Sequence, residues 1–254
     1  MRENAIKTKL AAGGTVVNGW LSIANSFSAE VMAAEDFDSV TVDLQHGMVD
    51  FQAAVSMLQA ISSRPPTPLA RAPWNDPSPI MKLLDAGAYG IICPMINNAE
   101  ECERFVGACR YAPRGYRSFG PPRGLLWGGA DYAQHANDTI LTFAMIETRE
   151  SLDNLDAIMS VEELDGIYIG PSDLAISLGH LPSGVPQAPD VIEAIDTILA
   201  AAKRNDVIPG IHCATGQMAR DMFDKGFQLC TLSNDARMLG SMAQAEIKAA
   251  RGED

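Results

Sequence analysis

The sequence predicts an α/β protein built as a single (β/α)8 (TIM) barrel over residues 1–254. Three observations point to it. Short apolar runs alternate eight times with longer amphipathic ones. Most of the short runs are apolar at both parities, as strands buried on both faces of a parallel sheet are. The 254-residue length also matches the roughly 250 residues of one such barrel. In order, TVVNGWLSI (15–23) opens the series and precedes a helix over 28–35. SVTVDL (39–44) is followed by helix 50–62, and PLARA (68–72) by helix 77–87. Asp76 supplies an N-cap for that helix, Pro77 its first turn and Gly87 its C-terminal stop. DAGAYGIICPM then reads as helix stop, tight turn and fourth strand (89–95), with helix 98–110 behind it. ILTFAMIE (140–147) pairs with helix 149–159, GIYIG (166–170) with 190–204, VIPGI (207–211) with 215–225 and FQLCTL (227–232) with 234–250. No G-x-G-x-x-G follows the first strand, which argues against a doubly wound open sheet. Two segments exceed ordinary loop length, 112–129 and 179–190, and are expected at the active face or at a subunit contact.

Composition narrows the function. Nineteen basic against 32 acidic residues leave a net charge of -13, which repels phosphate backbones and anionic lipid; neither nucleic acid nor a membrane surface is an expected partner. The five cysteines are odd in number and lack C-x-x-C spacing, so a disulfide framework or structural zinc is not expected. With no apolar leader and no run of about 18 apolar residues, the chain reads as soluble and cytoplasmic.

Barrel enzymes carry their chemistry at the C-terminal ends of the strands. There the second strand ends in Asp43 and runs on to His46, the third ends in Arg71, the fifth in Glu147, and the sixth leads into Gly-Pro-Ser-Asp with Asp173. Glu147 and Asp173 together describe an oxygen-rich site for a hard or borderline divalent ion such as Mg, Mn or Co. Arg71 suits an oxyanion and His46 a proton near neutral pH. Blander readings remain open: either carboxylate could cap the helix after it, and Arg71 could simply pair with Asp43. All six lysines (7, 9, 82, 203, 225 and 248) fall in or beside predicted helices, so no Schiff-base lysine is available at a strand end. His212 follows the seventh strand as a further pocket candidate; His135 and His180 are weaker ones.

At these residues the chain resembles the HpcH/HpaI family of metal-dependent (class II) pyruvate aldolases, whose types cleave 4-hydroxy-2-oxoheptanedioate or 2-keto-3-deoxy-sugar acids. The resemblance runs through NGWLSIANSFSAEVMAAEDFDSVTVDLQHG, RAPWNDPSPIMKLLDAGAYGIICPM, RYAPRGYRSFGPPR, AMIETRESLDNLD and DGIYIGPSDLAISLG. It implies a lyase that splits a 4-hydroxy-2-oxo acid into pyruvate, or a related 2-oxo acid such as hydroxypyruvate, and an aldehyde, through an enolate stabilised by the metal and Arg71. By the same resemblance Glu147 and Asp173 are the metal ligands, and the backbone amides of Ser172 and Asp173 hold the 2-oxo acid's carboxylate. His46 is the acid/base, with Asp85 orienting it; Asp43 stands at a subunit-facing rim and Trp20 in the acceptor pocket. Met145 replaces a glutamine near the metal and His212 an aliphatic residue, both departures that bear on the substrate. The resemblance further implies a homohexamer whose subunits exchange the C-terminal helix. Two other chemistries share such a ligand set: an oxaloacetate-type decarboxylase and a CoA-ester lyase of the citrate lyase β type.

Overall fold

The computed structural model describes residues 1–252. Eight parallel strands close into a barrel in chain order: β1 (Val16–Leu21), β2 (Ser39–Asp43), β3 (Thr67–Arg71), β4 (Gly90–Cys93), β5 (Leu141–Ile146), β6 (Gly166–Ile169), β7 (Ile208–Cys213) and β8 (Leu229–Leu232). Each lies inside a predicted run or within two residues of one. Around them stand α1 (Ala5–Ala11), α2 (Ser26–Ala33), α3 (Phe51–Ser62), α4 (Pro77–Asp85), α5 (Ala99–Cys109) and α6 (Tyr132–Thr139). The second half adds α7 (Arg149–Asp153), α8 (Leu155–Met159), α9 (Pro171–Ser177), α10 (Pro189–Arg204), α11 (Gly216–Lys225) and α12 (Asp235–Arg251). Asp76 caps α4 by accepting from the Ser78 N–H at 2.9 Å, as its place before Pro77 predicts. The expected helix 149–159 breaks at Asn154 into α7 and α8. Among the described residues no helix is long and apolar enough to cross a membrane.

Strand parity organises two cores. One face of each strand packs outward on the helices: Val40 and Val42, Ile91 and Cys93, Ala144 and Ile146, Ile167 and Ile169. The other face fills the barrel with Val16, Leu69, Ile92, Leu141, Phe143 and Leu229, and α1 closes the bottom with Ile6 and Leu10. Period-two alternation then carries polar residues upward on that inward face. On β5 the sequence Leu141, Phe143, Met145 continues to Glu147; on β3 Leu69 continues to Arg71. All five cysteines are buried and unpaired.

The 112–129 loop lies at the end of the barrel opposite the mouth, because it joins the C-terminal end of α5 to α6 and the start of β5. There Arg123 donates to the Ala86 carbonyl at 2.5 Å, and Trp127 packs on Tyr89 with ring centroids 4.7 Å apart. Within this chain Arg117 and Arg123 hold the loop at the bottom of the barrel, at the end opposite the mouth. The 179–190 loop, by contrast, reaches the mouth.

Candidate active site

A cavity of about 610 Å³ opens at the C-terminal ends of the strands. Its wall includes Trp20, Asp43, His46, Arg71, Ser172, Asp173 and His212, together with Pro182, Ser183 and Gly184 of the 179–190 loop.

Asp43 organises one side. Arg71 donates to it through Nε at 2.8 Å and Nη2 at 2.6 Å, a bidentate pair. The Trp20 indole N–H adds a bond at 3.1 Å, and the backbone N–H groups of Gln45 and His46 donate to Oδ1 at 3.0 and 3.3 Å. Burial works to raise the Asp43 pKa, but the Arg71 hydrogen bonds and charge, with those N–H groups, outweigh it and hold the carboxyl below its ordinary value. The backbone bonds shape the turn after β2 so that His46, itself exposed, lines the cavity. Gly47 completes the turn, since a Cβ there would overlap the Asp43 carbonyl oxygen. The Arg71 guanidinium also lies over the Trp20 ring, 4.9 Å from its centroid.

Glu147 and Asp173 form the facing lip. Glu147 is 1% exposed and its Oε1 accepts from the Met95 N–H at 2.9 Å. Oε2 turns to Gly170, where a Cβ would overlap it, so only glycine leaves this oxygen its place. Burial pushes the Glu147 carboxyl up to about 7; the Asp173 charge adds to the rise, while the Met95 N–H and the Arg71 charge oppose it. Two carboxylates at one lip, one of them buried with an oxygen free of hydrogen bonds, fit a divalent cation. No group of three or more His, Cys, Asp or Glu side chains placed to hold a metal occurs among the described residues, so the pair would leave the other coordination positions to water and substrate oxygens. Next to them, the first turn of α9 has no side-chain cap, and the Ser172 and Asp173 N–H groups lack protein acceptors among the described residues.

His212 belongs to a polar layer inside the barrel. Its Nδ1 lies 3.2 Å from the Tyr168 hydroxyl, which donates to Thr231 Oγ1 at 2.7 Å. The Asn18 amide donates to the same oxygen at 2.9 Å and accepts from the Ser39 and Thr41 hydroxyls. Burial lowers the His212 pKa to about 4, helped by the charges of Arg71 and Arg237 and opposed by Asp43, so the ring is neutral.

The structure therefore gathers Trp20, Asp43, His46, Arg71, Ser172, Asp173 and His212 around one cavity, with Glu147 beside Gly170 in the wall behind it. Asp85 is not among them. It ends α4 at the bottom of the barrel, where Arg117 Nη2 donates to it at 2.8 Å, so within one chain it cannot orient His46. The helix that carries Asp85 runs from the mouth to the opposite end of the barrel, which sets Asp85 apart from His46 of the same chain. His180 pairs with Asp190 at 2.9 Å in the 179–190 loop and His135 lies at the N-terminal face, both outside the cavity wall. Sequence reasoning missed Tyr168, Gly170 and Arg237; glycine between Ile169 and Pro171 was the one local signal.

A closed parallel barrel with carboxylates, an arginine and a histidine gathered at the strand C-termini is the build of a barrel enzyme. The chain belongs to the HpcH/HpaI aldolase/citrate lyase family, whose model matches residues 18–240, and it is a carbon–carbon lyase. It is 42% identical over 248 residues to a hydroxypyruvate/pyruvate aldolase of Rhizorhabdus wittichii, covering 98% of this chain and 99% of that one. To a 4-hydroxy-2-oxo-heptane-1,7-dioate aldolase of Escherichia coli it is 37% identical over 246 residues, 96% of this chain and 93% of that protein. Among solved structures, a HpcH/HpaI aldolase/citrate lyase family protein from Burkholderia cenocepacia superposes with a TM-score of 0.92 at 30% identity, covering 98% and 99% of the two chains.

Proposed function

We propose that this lyase is a divalent-metal-dependent aldolase that reversibly splits a 4-hydroxy-2-oxo acid into pyruvate, or hydroxypyruvate, and an aldehyde. The observation that carries the reading is the convergence of Asp173, Arg71 and the uncapped first turn of α9 on one cavity, with the buried Glu147 carboxylate behind its wall at Gly170. Glu147 and Asp173 would hold the ion, and when bound it supplies a Lewis acid that polarises the 2-oxo group. The Ser172 and Asp173 N–H groups bind the carboxylate of the 2-oxo acid and set its orientation. Arg71 keeps donors beyond those given to Asp43 and stabilises negative charge as the carbon–carbon bond breaks. His46, on the open side of the cavity, removes the proton of the 4-hydroxyl directly or through water and returns it in the synthetic direction. Alanine at His46 is expected to slow turnover by about 10² to 10⁴ while leaving 2-oxo acid binding in place. Steady-state kinetics in the cleavage direction check this; a rate equal to the unmodified protein's would remove His46 from the chemistry.

The test of the whole reading is exchange of the pyruvate C3 protons in D2O, first with protein stripped by EDTA and then with Mg, Mn or Co added. Metal-dependent exchange is expected, and exchange under no metal with pyruvate or hydroxypyruvate would overturn the reading. Oxaloacetate, incubated with and without aldehyde, separates a decarboxylase from an aldolase. The buried unpaired cysteines support a cytoplasmic site of action. Assembly by exchange of α12 is supported by its surface: only Asp235 of this helix is buried, while Leu239, Met242 and Ile247 are exposed.

A further inference from the structure

The cavity wall holds one cation that the proposed lyase chemistry leaves unused. Besides Arg71, which Asp43 neutralises, Arg237 is the only arginine or lysine lining it among the described residues. Its guanidinium makes no ion pair and no hydrogen bond among those residues, in a chain of net charge -13 where acids outnumber bases.

Helix stability does not account for its position. Arg237 stands in the first turn of α12, where a cation opposes the helix dipole. Its backbone is nevertheless held firmly: Asn234 caps the helix by accepting from the Arg237 N–H at 2.8 Å. The neighbouring acid, Asp235, is buried and accepts from Ser22 N at 2.8 Å, Ile23 N at 3.3 Å and Ser28 Oγ at 2.9 Å. Asp235 thus ties the start of α12 to the end of β1 and is unavailable to Arg237. The side chain emerges at the cavity rim, with Nη1 against Gly184 of the 179–190 loop. Its charge is felt by His212 in the same wall. Arg237 follows β8, on the side of His212 and Trp20, whereas the groups that take the 2-oxo acid stand on the β5–β6 lip. A planar guanidinium with free donors at a water-facing rim is suited to a carboxylate, which it can grip with two parallel bonds.

We infer that Arg237 is a specificity-determining residue that binds a terminal carboxylate on the acceptor aldehyde. This rests on the aldolase reading above. Arg237 binds the far end of the aldehyde and leaves the reacting carbons to the β5–β6 lip.

The experiment compares two aldehydes of equal length, succinic semialdehyde and butanal, with pyruvate as donor and metal present, for the unmodified protein, Arg237→Gln and Arg237→Lys. The unmodified protein is expected to favour the carboxylated aldehyde. In Arg237→Gln the ratio of kcat/KM for the carboxylated over the uncharged aldehyde falls about ten- to a hundredfold, through KM rather than kcat. Arg237→Lys, which keeps the charge without the planar fork, recovers part of the ratio. An unchanged ratio in Arg237→Gln, or an equal loss with both aldehydes, would overturn the assignment while leaving the aldolase reading standing. Failure of the unmodified protein to turn over either aldehyde would instead overturn the aldolase reading and this inference with it.

Discussion

Alanine in place of Arg71 is expected to lower cleavage of a 4-hydroxy-2-oxo acid by at least about 10²- to 10³-fold, the usual consequence of losing a fixed donor aimed at developing negative charge. The same change also destabilises the fold. Asp43 is 2% exposed and its carboxylate is held in a bidentate pair with Arg71, so removing the arginine leaves a buried charge with only N–H donors around it. Breaking a buried pair from one side costs about 3–5 kcal/mol. The two effects separate in a cycle of Arg71→Ala, Asp43→Asn and the double variant, with thermal unfolding and steady-state kinetics measured on each. The double variant carries no unpaired charge at this site and is expected to recover most of the stability but none of the turnover. Near-normal turnover in the double variant would mean that Arg71 does nothing more than pair with Asp43.

Replacing Glu147 by glutamine is expected to weaken divalent-metal binding by about a hundredfold or more, since even outer-shell partners of metal ligands are worth ten- to a hundredfold. Isothermal titration with Mn or Co reads this directly. The pH dependence carries a second signature. In the metal-free protein Glu147 is protonated below about 7, and a cation must displace that proton. Apparent metal affinity therefore falls about tenfold per pH unit below that value and levels off above it. Stability of the metal-free protein runs the other way. The folded-state pKa lies above the ordinary 4.5, so between about 4.5 and 7 the folded protein binds more protons at this group than the unfolded chain. The contribution is complete below the unfolded pKa and is lost as pH rises through the folded one. The difference in Tm between unmodified protein and Glu147→Gln, both treated with EDTA, should accordingly shrink or reverse as pH rises from 5 to 8. Metal should restore the unmodified protein at high pH and leave the variant unmoved. A metal affinity equal in the two proteins would remove Glu147 from the ligand set.

By itself the sequence determined the barrel and most of its site. Runs apolar at both parities mark strands covered on both faces, and eight of them with helices between leave little choice but closure. Period-two alternation then places Glu147 two residues beyond Met145 and Arg71 two beyond Leu69, which is enough to bring them to the same mouth. The cap at Asp76 is likewise local, because a cap needs only the three or four residues that follow it. What the tertiary structure alone decided are the relations between residues far apart in the chain. Tyr168, His212, Thr231 and Asn18 join one hydrogen-bonded layer across the barrel, and no periodicity along the chain encodes which hydroxyl meets which ring. Gly170 makes room for an oxygen of Glu147, a residue on the neighbouring strand. Asp85 shows the converse: the family resemblance implies a partner for His46, and within one chain α4 delivers it to the opposite end of the barrel and to Arg117. Arg237 joins the cavity only because Asp235 docks the start of α12 on the end of β1. Local pattern sets elements and facing; the neighbours of a side chain are set by closure of the sheet, which brings together residues more than two hundred positions apart.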